Sequence, residues 1–428
     1  MVKEKCGHGL CESCFHIKQE KGELFEGAEY DCFSLAYECQ IGGGDKCVNC
    51  GQKLSDKETV SSSEKDLLLL ESALNNKNLK VICFTAPSIR VSLGDEFGFE
   101  AGANVEGKMV SALKKVGFDV VFDMNTAADF TILEEAEELK RRLIENKNLP
   151  MFTSCCPGWV NFCTKVCKEF VPNLSTCKSP QQMFGALLNT YYAERLGVNS
   201  TDLFVVSIVP CLAKKLELKQ EGINSNVGFD VDLAITTREI TKLLKKNNID
   251  LKNVEEQNFD SFFGSASGAG AIFGNTGGVM EAVLRSVGES LTGREQANLE
   301  YKMVRGIDGV KRAELSFGER MLRVAVVMGL KNVNVVLNEL KQDPKRYDFV
   351  EVMACEGGCI GGAGQPLTNN IELEDLLKKR SKGLYEVELK KENRKAHNNT
   401  AVLQVYKDYI GKVGGAKAKK LLHRKYKN

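Results

Sequence analysis

Sixteen cysteines stand at uneven intervals along the 428-residue chain, and their placement limits the fold more than any other feature. Seven lie before residue 51, Cys83 stands alone, five fall between Cys155 and Cys177, then come Cys211, Cys355 and Cys359. The opening residues, Met1-Val2-Lys3-Glu4-Lys5-Cys6, lack the apolar stretch of a secretion signal and the acid-poor character of a transit peptide. A cytoplasmic address is therefore expected, and in that compartment a disulfide framework explains the thiols less well than metal ligation does. The distribution implies two metal regions, one local to the amino-terminal end and one assembled from distant segments.

With 43% hydrophobic and 27% charged residues, the chain has material for a large core, and its length allows roughly three domains. A net charge of +1 gives no electrostatic case for nucleic acid or an anionic membrane, and neither partner is expected. Eighteen consecutive apolar residues occur nowhere, so no membrane-spanning helix is predicted.

Residues 1–55 are rich in Cys and Gly with little apolar periodicity, the pattern of a small module that owes its fold to bound metal. Residues 56–78 read as a helical linker. From residue 79 short apolar runs alternate with helical patterns. Strands are predicted at Lys80–Thr85, Val120–Phe122, Leu203–Val209, Val231–Ile235, Leu322–Val327 and Phe349–Met353. Helices are predicted at Glu100–Val116, Ala127–Asn146, Pro180–Leu196, Thr237–Lys246, Val279–Ser286 and Val333–Lys341. This grammar belongs to an α/β protein with a largely parallel sheet. Thr85-Ala86-Pro87, Thr153 to Pro157, Val209-Pro210-Cys211 and Met353-Ala354-Cys355 each follow an apolar run, and loops at the carboxyl ends of parallel strands converge on one crevice.

Four thiolates from separated loops are the donor set of a cubane iron–sulfur cluster, whereas a single buried Cys is ordinarily a small inert hydrophobe. The flanking residues decide between these for some positions. Thr153-Ser154-Cys155-Cys156-Pro157-Gly158-Trp159, Pro210-Cys211-Leu212-Ala213-Lys214-Lys215-Leu216-Glu217, and Glu351-Val352-Met353-Ala354-Cys355-Glu356-Gly357-Gly358-Cys359 through Pro366 occur in that order. They resemble the three cluster-binding signatures of catalytic iron-only (di-iron) hydrogenases. The resemblance runs from about Lys80 to the carboxyl end, takes in Ser179-Pro180-Gln181-Gln182 and Gly268–Glu281, and leaves the first fifty residues uncovered. Cys83, Cys163, Cys167 and Cys177 keep the inert reading.

The resemblance implies a two-lobed α/β catalytic domain, residues 79–366, with mixed, largely parallel sheets around a buried cluster, and a carboxyl-terminal wrapping segment, residues 367–428. It implies that Cys156, Cys211, Cys355 and Cys359 hold a four-iron cubane. Cys359 would also bridge to a two-iron subcluster carrying carbon monoxide, cyanide and a dithiolate, the whole forming the H-cluster at which protons and electrons interconvert with hydrogen. Lys214 resembles the family's cyanide-contacting ammonium, with Glu217 three residues on to hold it. Ser88 resembles the second cyanide contact; Pro87, Gln181, Met353 and Phe273 complete the cofactor-binding set. Cys155 would pass protons to and from the cofactor, and Glu135, Ser175 and Glu138 would carry them to solvent. Glu134 and Glu137 read as an exposed acidic helix face. The chain departs from the family pattern at Val209, where Met is usual, and at Ala363, where Gly is usual.

Cys6-Gly7-His8-Gly9-Leu10-Cys11-Glu12-Ser13-Cys14 and Cys47-Val48-Asn49-Cys50, with Cys32 and Cys39 between, offer ligands for one or two further centres. The paired knuckles resemble zinc modules, and the C-x4-C-x2-C lead matches an iron–sulfur spacing equally well. The family resemblance implies a ferredoxin-like electron partner and dedicated maturation proteins. Two other functions use related sequences: an iron–sulfur assembly protein of the same fold, expected to lose the proton-donor Cys and the Lys/Glu pair, and a hydrogen sensor, expected to lose the Cys155 thiol. This chain keeps Cys155, Lys214 and Glu217.

Overall fold

A computed structural model describes residues 56–220, 222–224, 228–367 and 371–426. The amino-terminal module, with its candidate ligands Cys6, His8, Cys11, Cys14, Cys32, Cys39, Cys47 and Cys50, lies outside the described residues.

Two four-stranded sheets organise the chain. The first has the order β2-β1-β4-β5, from β1 (Lys80–Thr85), β2 (Val120–Asp123), β4 (Leu203–Val209) and β5 (Leu233–Thr236), and every pairing is parallel. The second has the order β3-β8-β7-β6, from β3 (Met151–Phe152), β6 (Val310–Phe317), β7 (Arg320–Met328) and β8 (Phe349–Met353). Its β3, β8 and β7 run parallel and β6 closes the edge antiparallel to β7. The α/β class with mixed, largely parallel sheets is thus observed.

Parallel strands carry helices on both faces, which is why β1, β2, β4 and β8 are apolar along nearly their whole length. One hydrophobic core surrounds the first sheet, and two more lie on the two faces of the second. The helices that position the site are α1 (Met124–Glu145), α2 (Pro157–Val166), α3 (Pro180–Leu187), α4 (Gly278–Thr292) and α5 (Leu373–Leu389). Asp123 caps α1 by accepting from Asn125 N at 2.9 Å, so the helix begins three residues before the predicted Ala127. Pro157 and Pro180 each occupy the first turn of α2 and α3, where a missing N–H costs nothing.

The predicted helix Pro180–Leu196 is interrupted by a π turn at Leu188–Tyr192. Beyond α5 the chain continues as a strap: Asn399 caps the next helix and donates to the buried carboxylate of Asp129 on α1 at 2.7 Å. Among the described residues no helix is long and apolar enough to cross a membrane.

Candidate active site

The carboxyl ends of strands from both sheets meet at one narrow cavity. Ala86 and Pro87 come from the end of β1, Met124 from β2, Cys155 and Cys156 from β3, Val209, Pro210 and Cys211 from β4, and Met353, Ala354 and Cys355 from β8. Cys359, Lys214 and Phe273 complete its chemistry-bearing wall, and almost all other lining atoms are apolar. The four separated loops therefore do share one crevice.

Close backbone approaches hold those loops together. Gly364 N donates to Pro210 O at 2.6 Å, and Gly362 packs so tightly on the same carbonyl that a Cβ would meet it at 2.5 Å. Ala354 N donates to Cys156 Sγ at 3.4 Å, and a Cβ on Gly158 would stand 2.9 Å from that of Ala354. Small residues in the signatures thus set the spacing between ligand loops.

Cys156, Cys211, Cys355 and Cys359 are all free thiols. Burial, then the mutual proximity of the other thiols, pushes Cys211 up to about 11 and Cys355 and Cys359 further up, so each would bind a proton if nothing else were there. Bound metal reverses that preference by stabilising thiolate outright. A single zinc ion brings its sulfurs within roughly 4 Å of one another. Among the described residues the one trio of ligand atoms lying within 4.8 Å is Glu138, Cys177 and His423, so the four cavity thiols are spread too widely for one ion. Soft donors on the rim of an apolar, water-poor cavity fit a multi-iron cluster.

Lys214 reaches the cavity from the short helix Ala213–Glu217. Its Nζ donates to Cys155 O at 3.0 Å and to Glu217 Oε2 at 3.1 Å, which leaves a third donor for an anionic group. Burial alone would depress its basicity, but the Glu217 charge and the nearby thiols outweigh burial and keep it cationic. Glu217 is itself held by Ser179 Oγ at 2.8 Å and Gln181 Nε2 at 3.1 Å. Gln181 and Glu217 therefore stand behind Lys214 and off the cavity wall. Ser88, also off the cavity wall but against Gly274, has a fully buried hydroxyl without a hydrogen-bond partner. Val209 lines the cavity at the position where the family pattern has the larger Met.

From Cys155 a polar track leads outward along α1. Burial, then the charge of Glu135, pushes the Cys155 thiol well above its ordinary range. Glu135 is fully buried, neither of its oxygens makes a hydrogen bond, and burial followed by the charge of Glu138 pushes its pKa up to about 8. Ser175 Oγ donates to Glu138 Oε2 at 3.2 Å. For Glu138 burial acts to raise the pKa, but the Arg142 charge and its hydrogen bonds at 3.1 and 2.7 Å win, holding the carboxyl below its ordinary value. Glu138 and Arg142 border a pocket open to solvent. Cys155, Glu135, Ser175 and Glu138, the residues expected to carry protons, are all buried, and Ser175 and Glu138 are hydrogen-bonded.

Arg142 was not among them, although its i, i+4 spacing from Glu138 was a usable signal. The reading of Glu134 as exposed is corrected: it is fully buried and accepts from Tyr406, Gly414 and His423, partners from the carboxyl-terminal strap. Lys215 pairs with Asp66 at 2.7 Å and Glu239 at 2.6 Å. Cys83, Cys163, Cys167 and Cys177 are buried and line no part of the cavity.

The family model described as "Iron only hydrogenase large subunit, C-terminal domain" matches residues 79–363, two thirds of the chain. This chain belongs to the iron-only hydrogenase family. A second model of that family, "Iron hydrogenase small subunit", matches residues 374–428, the region of α5 and the strap. Iron hydrogenase 1 of Clostridium pasteurianum is 43% identical over 360 residues, 84% of this chain and 63% of that protein. The chain thus spans just under two thirds of the length of the first curated hydrogenases it matches. Among solved structures, apo [FeFe]-hydrogenase HydA1 from Chlamydomonas reinhardtii superposes with a TM-score of 0.74 at 34% identity, covering 85% of this chain and 98% of that one. The cytosolic Fe-S cluster assembly factor narfl of Danio rerio is more distant, 30% identical over 81% of this chain and 86% of that protein.

Proposed function

We propose that this chain is the catalytic unit of an iron-only hydrogenase, reversibly converting two protons and two electrons into hydrogen. The observation that carries the reading is the junction of two features in one place: four free thiols around an apolar cavity, and buried polar groups beyond Cys155 in the same wall. The assembly-factor alternative needs the thiols and has no use for the track.

In this reading Cys156, Cys211, Cys355 and Cys359 hold the H-cluster, whose four-iron and two-iron parts supply, when bound, the redox chemistry of splitting or forming hydrogen. Lys214 would offer its remaining donor to an anionic ligand of the cluster as a charge-assisted hydrogen bond, and Glu217 with Gln181 behind it keeps that ammonium charged and pointed. Ser88 offers its unpartnered hydroxyl to the second anionic ligand. Phe273, Met353 and Pro87 exclude water, which strengthens each of these contacts.

Cys155 gives and takes the proton at the cofactor. Glu135, pushed up to about 8 and so protonated at pH 7, gives its own proton to one neighbour as it takes the next from the other. Ser175 relays it to Glu138, and Arg142 lowers the proton affinity of that last carboxyl, so the proton is released at the solvent-facing pocket. The direction of the gradient matters: a high-affinity site inside and a low-affinity site outside stop water from stripping the inner relay.

The proposal keeps the division into a metal module (1–55), a linker (56–78), a catalytic domain (79–366) and a wrapping segment (367–428). It includes one or two further centres, zinc or iron–sulfur, in the module, a ferredoxin-like electron partner, maturation proteins that install the subcluster, and a cytoplasmic address. The test is direct. Anaerobically prepared chain should bind a cubane and evolve no hydrogen until the two-iron subcluster is supplied, then evolve it from a low-potential reductant. A fully loaded protein that stays inactive would favour the assembly function.

A further inference from the structure

After the helix Ala416–Leu421 the strap runs beside the segment that carries Ser175 and Thr176. Lys178 N donates to Leu422 O and Arg424 N to Thr176 O, both at 2.8 Å, and Cys177 and His423 form an antiparallel bridge. That docking lays the His423 imidazole against α1. Its Nε2 lies 2.9 Å from Glu134 Oε2, and its Nδ1 lies 2.7 Å from Thr176 Oγ1. The same hydroxyl lies 3.0 Å from Glu138 Oε2. Glu134 and Glu138 are thus joined by a four-member hydrogen-bonded chain that the hydrogen reaction, as derived above, does not use.

Counting protons along this chain fixes its states. Tyr406 OH donates to Glu134 at 2.6 Å and Gly414 N at 2.9 Å, so that carboxylate is surrounded by donors and His423 Nε2 must be a third. Thr176 has one hydroxyl proton. When it goes to Glu138, His423 Nδ1 must itself carry a proton, and the ring is an imidazolium. When Nδ1 is bare, the hydroxyl turns to it and Glu138 Oε2 loses one donor, keeping Ser175 Oγ, Thr176 N and the weak Cys177 thiol. A carboxylate with fewer donors holds a proton more tightly.

We propose that His423 is a positioning residue for proton release: by its own protonation it turns the Thr176 hydroxyl toward Glu138 and makes that carboxyl a weaker base. The inference rests on reading Glu138 as the outer member of the proton track. Its effect has the useful sign. With the ring protonated, Glu138 is kept ionised and able to release where an isolated carboxyl would fill.

The other groups around the ring do not compete for this role. Arg142 is committed to Glu138 and to the carbonyls of Asn148, Asn173 and Leu174. Arg424 lies over the Tyr426 ring with a hydrogen bond to Gln220. Burial first, then the nearby glutamates, pushes the Cys177 thiol and the Tyr406 phenol well above their ordinary values, so both stay neutral.

The test begins with nitrogen-15 histidine NMR of the full-length chain without the two-iron subcluster, so that it does not depend on hydrogen activity. The chain has four histidines, His8, His16, His397 and His423, and the His423 signals are those lost in His423→Gln. The expected result is that His423 loses its proton from Nδ1, and that Glu138→Gln and Thr176→Val each move this loss to lower pH by about one unit, with His397 unmoved. Loss from Nε2, or a titration indifferent to both variants, overturns the proposal. In loaded enzyme His423→Gln should then move the acid limb of the turnover profile up by about one pH unit, and the shift should vanish in a Thr176→Val background. If the NMR coupling is present while this limb stays fixed and Glu138→Gln remains active, the coupling claim fails at turnover and the fault lies in the proton-track reading itself.

Discussion

Replacing Glu135 by Gln should make the protein both more stable at neutral pH and a poorer catalyst. The carboxyl is fully buried without a hydrogen-bond partner, and its pKa stands at about 8 against an ordinary 4.5. Between those two values the folded chain binds a proton that the unfolded chain has released, so stability falls as pH rises through the window. At pH 7 the separation is 2.5 units of pH above the ordinary value, and at 1.36 kcal/mol per unit the cost is about 3 kcal/mol. Gln carries no such cost, and its own unpartnered amide offsets about 1–3 kcal/mol of that gain. The sharper prediction is therefore the slope. Urea midpoints measured anaerobically on the cubane-bearing chain should fall between pH 5.5 and 8 more steeply in the parent than in Glu135→Gln, where buried Asp129 and Glu351, pushed up to about 6 and about 7, still contribute a shallower fall. Turnover of the loaded variant should drop by about two orders of magnitude, the range lost with a proton-transfer group. Parallel slopes would refute the buried, proton-bearing assignment, and undiminished turnover would remove Glu135 from the track.

Cys155→Ala should leave iron content and the cubane spectrum unchanged while hydrogen evolution falls by at least about 100-fold, since Cys155 is a cavity-wall thiol that feels the Glu135 charge; retained activity would require another proton route. Gly185→Ala should destabilise strongly, by about 2 kcal/mol or more, because a Cβ there overlaps the Asp230 carbonyl under α3; an unchanged denaturation midpoint would show that the loop yields freely. Deleting residues 1–55 should remove zinc, or iron beyond the H-cluster, from the anaerobically purified chain, and equal metal content in both forms would rule out a centre in that segment.

Much of the fold was legible because buried parallel strands announce themselves as continuous apolar runs: Lys80–Thr85 and Phe349–Met353 are observed with the predicted bounds. β6 carried no such run. Its Val310–Phe317 sequence alternates charged and apolar residues along an edge, and its antiparallel partner begins only three residues later at Arg320. β3 has two residues, too few to give any periodicity, yet it delivers Cys155 and Cys156. The four cavity thiols and the buried carboxyls of α1 were singled out through the family signatures, while spacing by itself left each Cys ambiguous. Glu134 was misread because its helix neighbours are charged and its burying partners, Tyr406, Gly414 and His423, lie some 270 to 290 residues away in the chain. Such a contact leaves no mark on the local pattern.

The central claim, that this cavity carries out hydrogen chemistry with Cys155 as its proton port, is tested most directly by isotope exchange. Chain loaded with the complete cluster should convert D2 in ordinary water into HD and H2 without any added electron donor. Loaded Cys155→Ala should bind the same cluster and exchange at least about 100-fold more slowly. Absence of exchange in the loaded parent chain would contradict the account, and equal exchange in Cys155→Ala would contradict the proton route on which it rests.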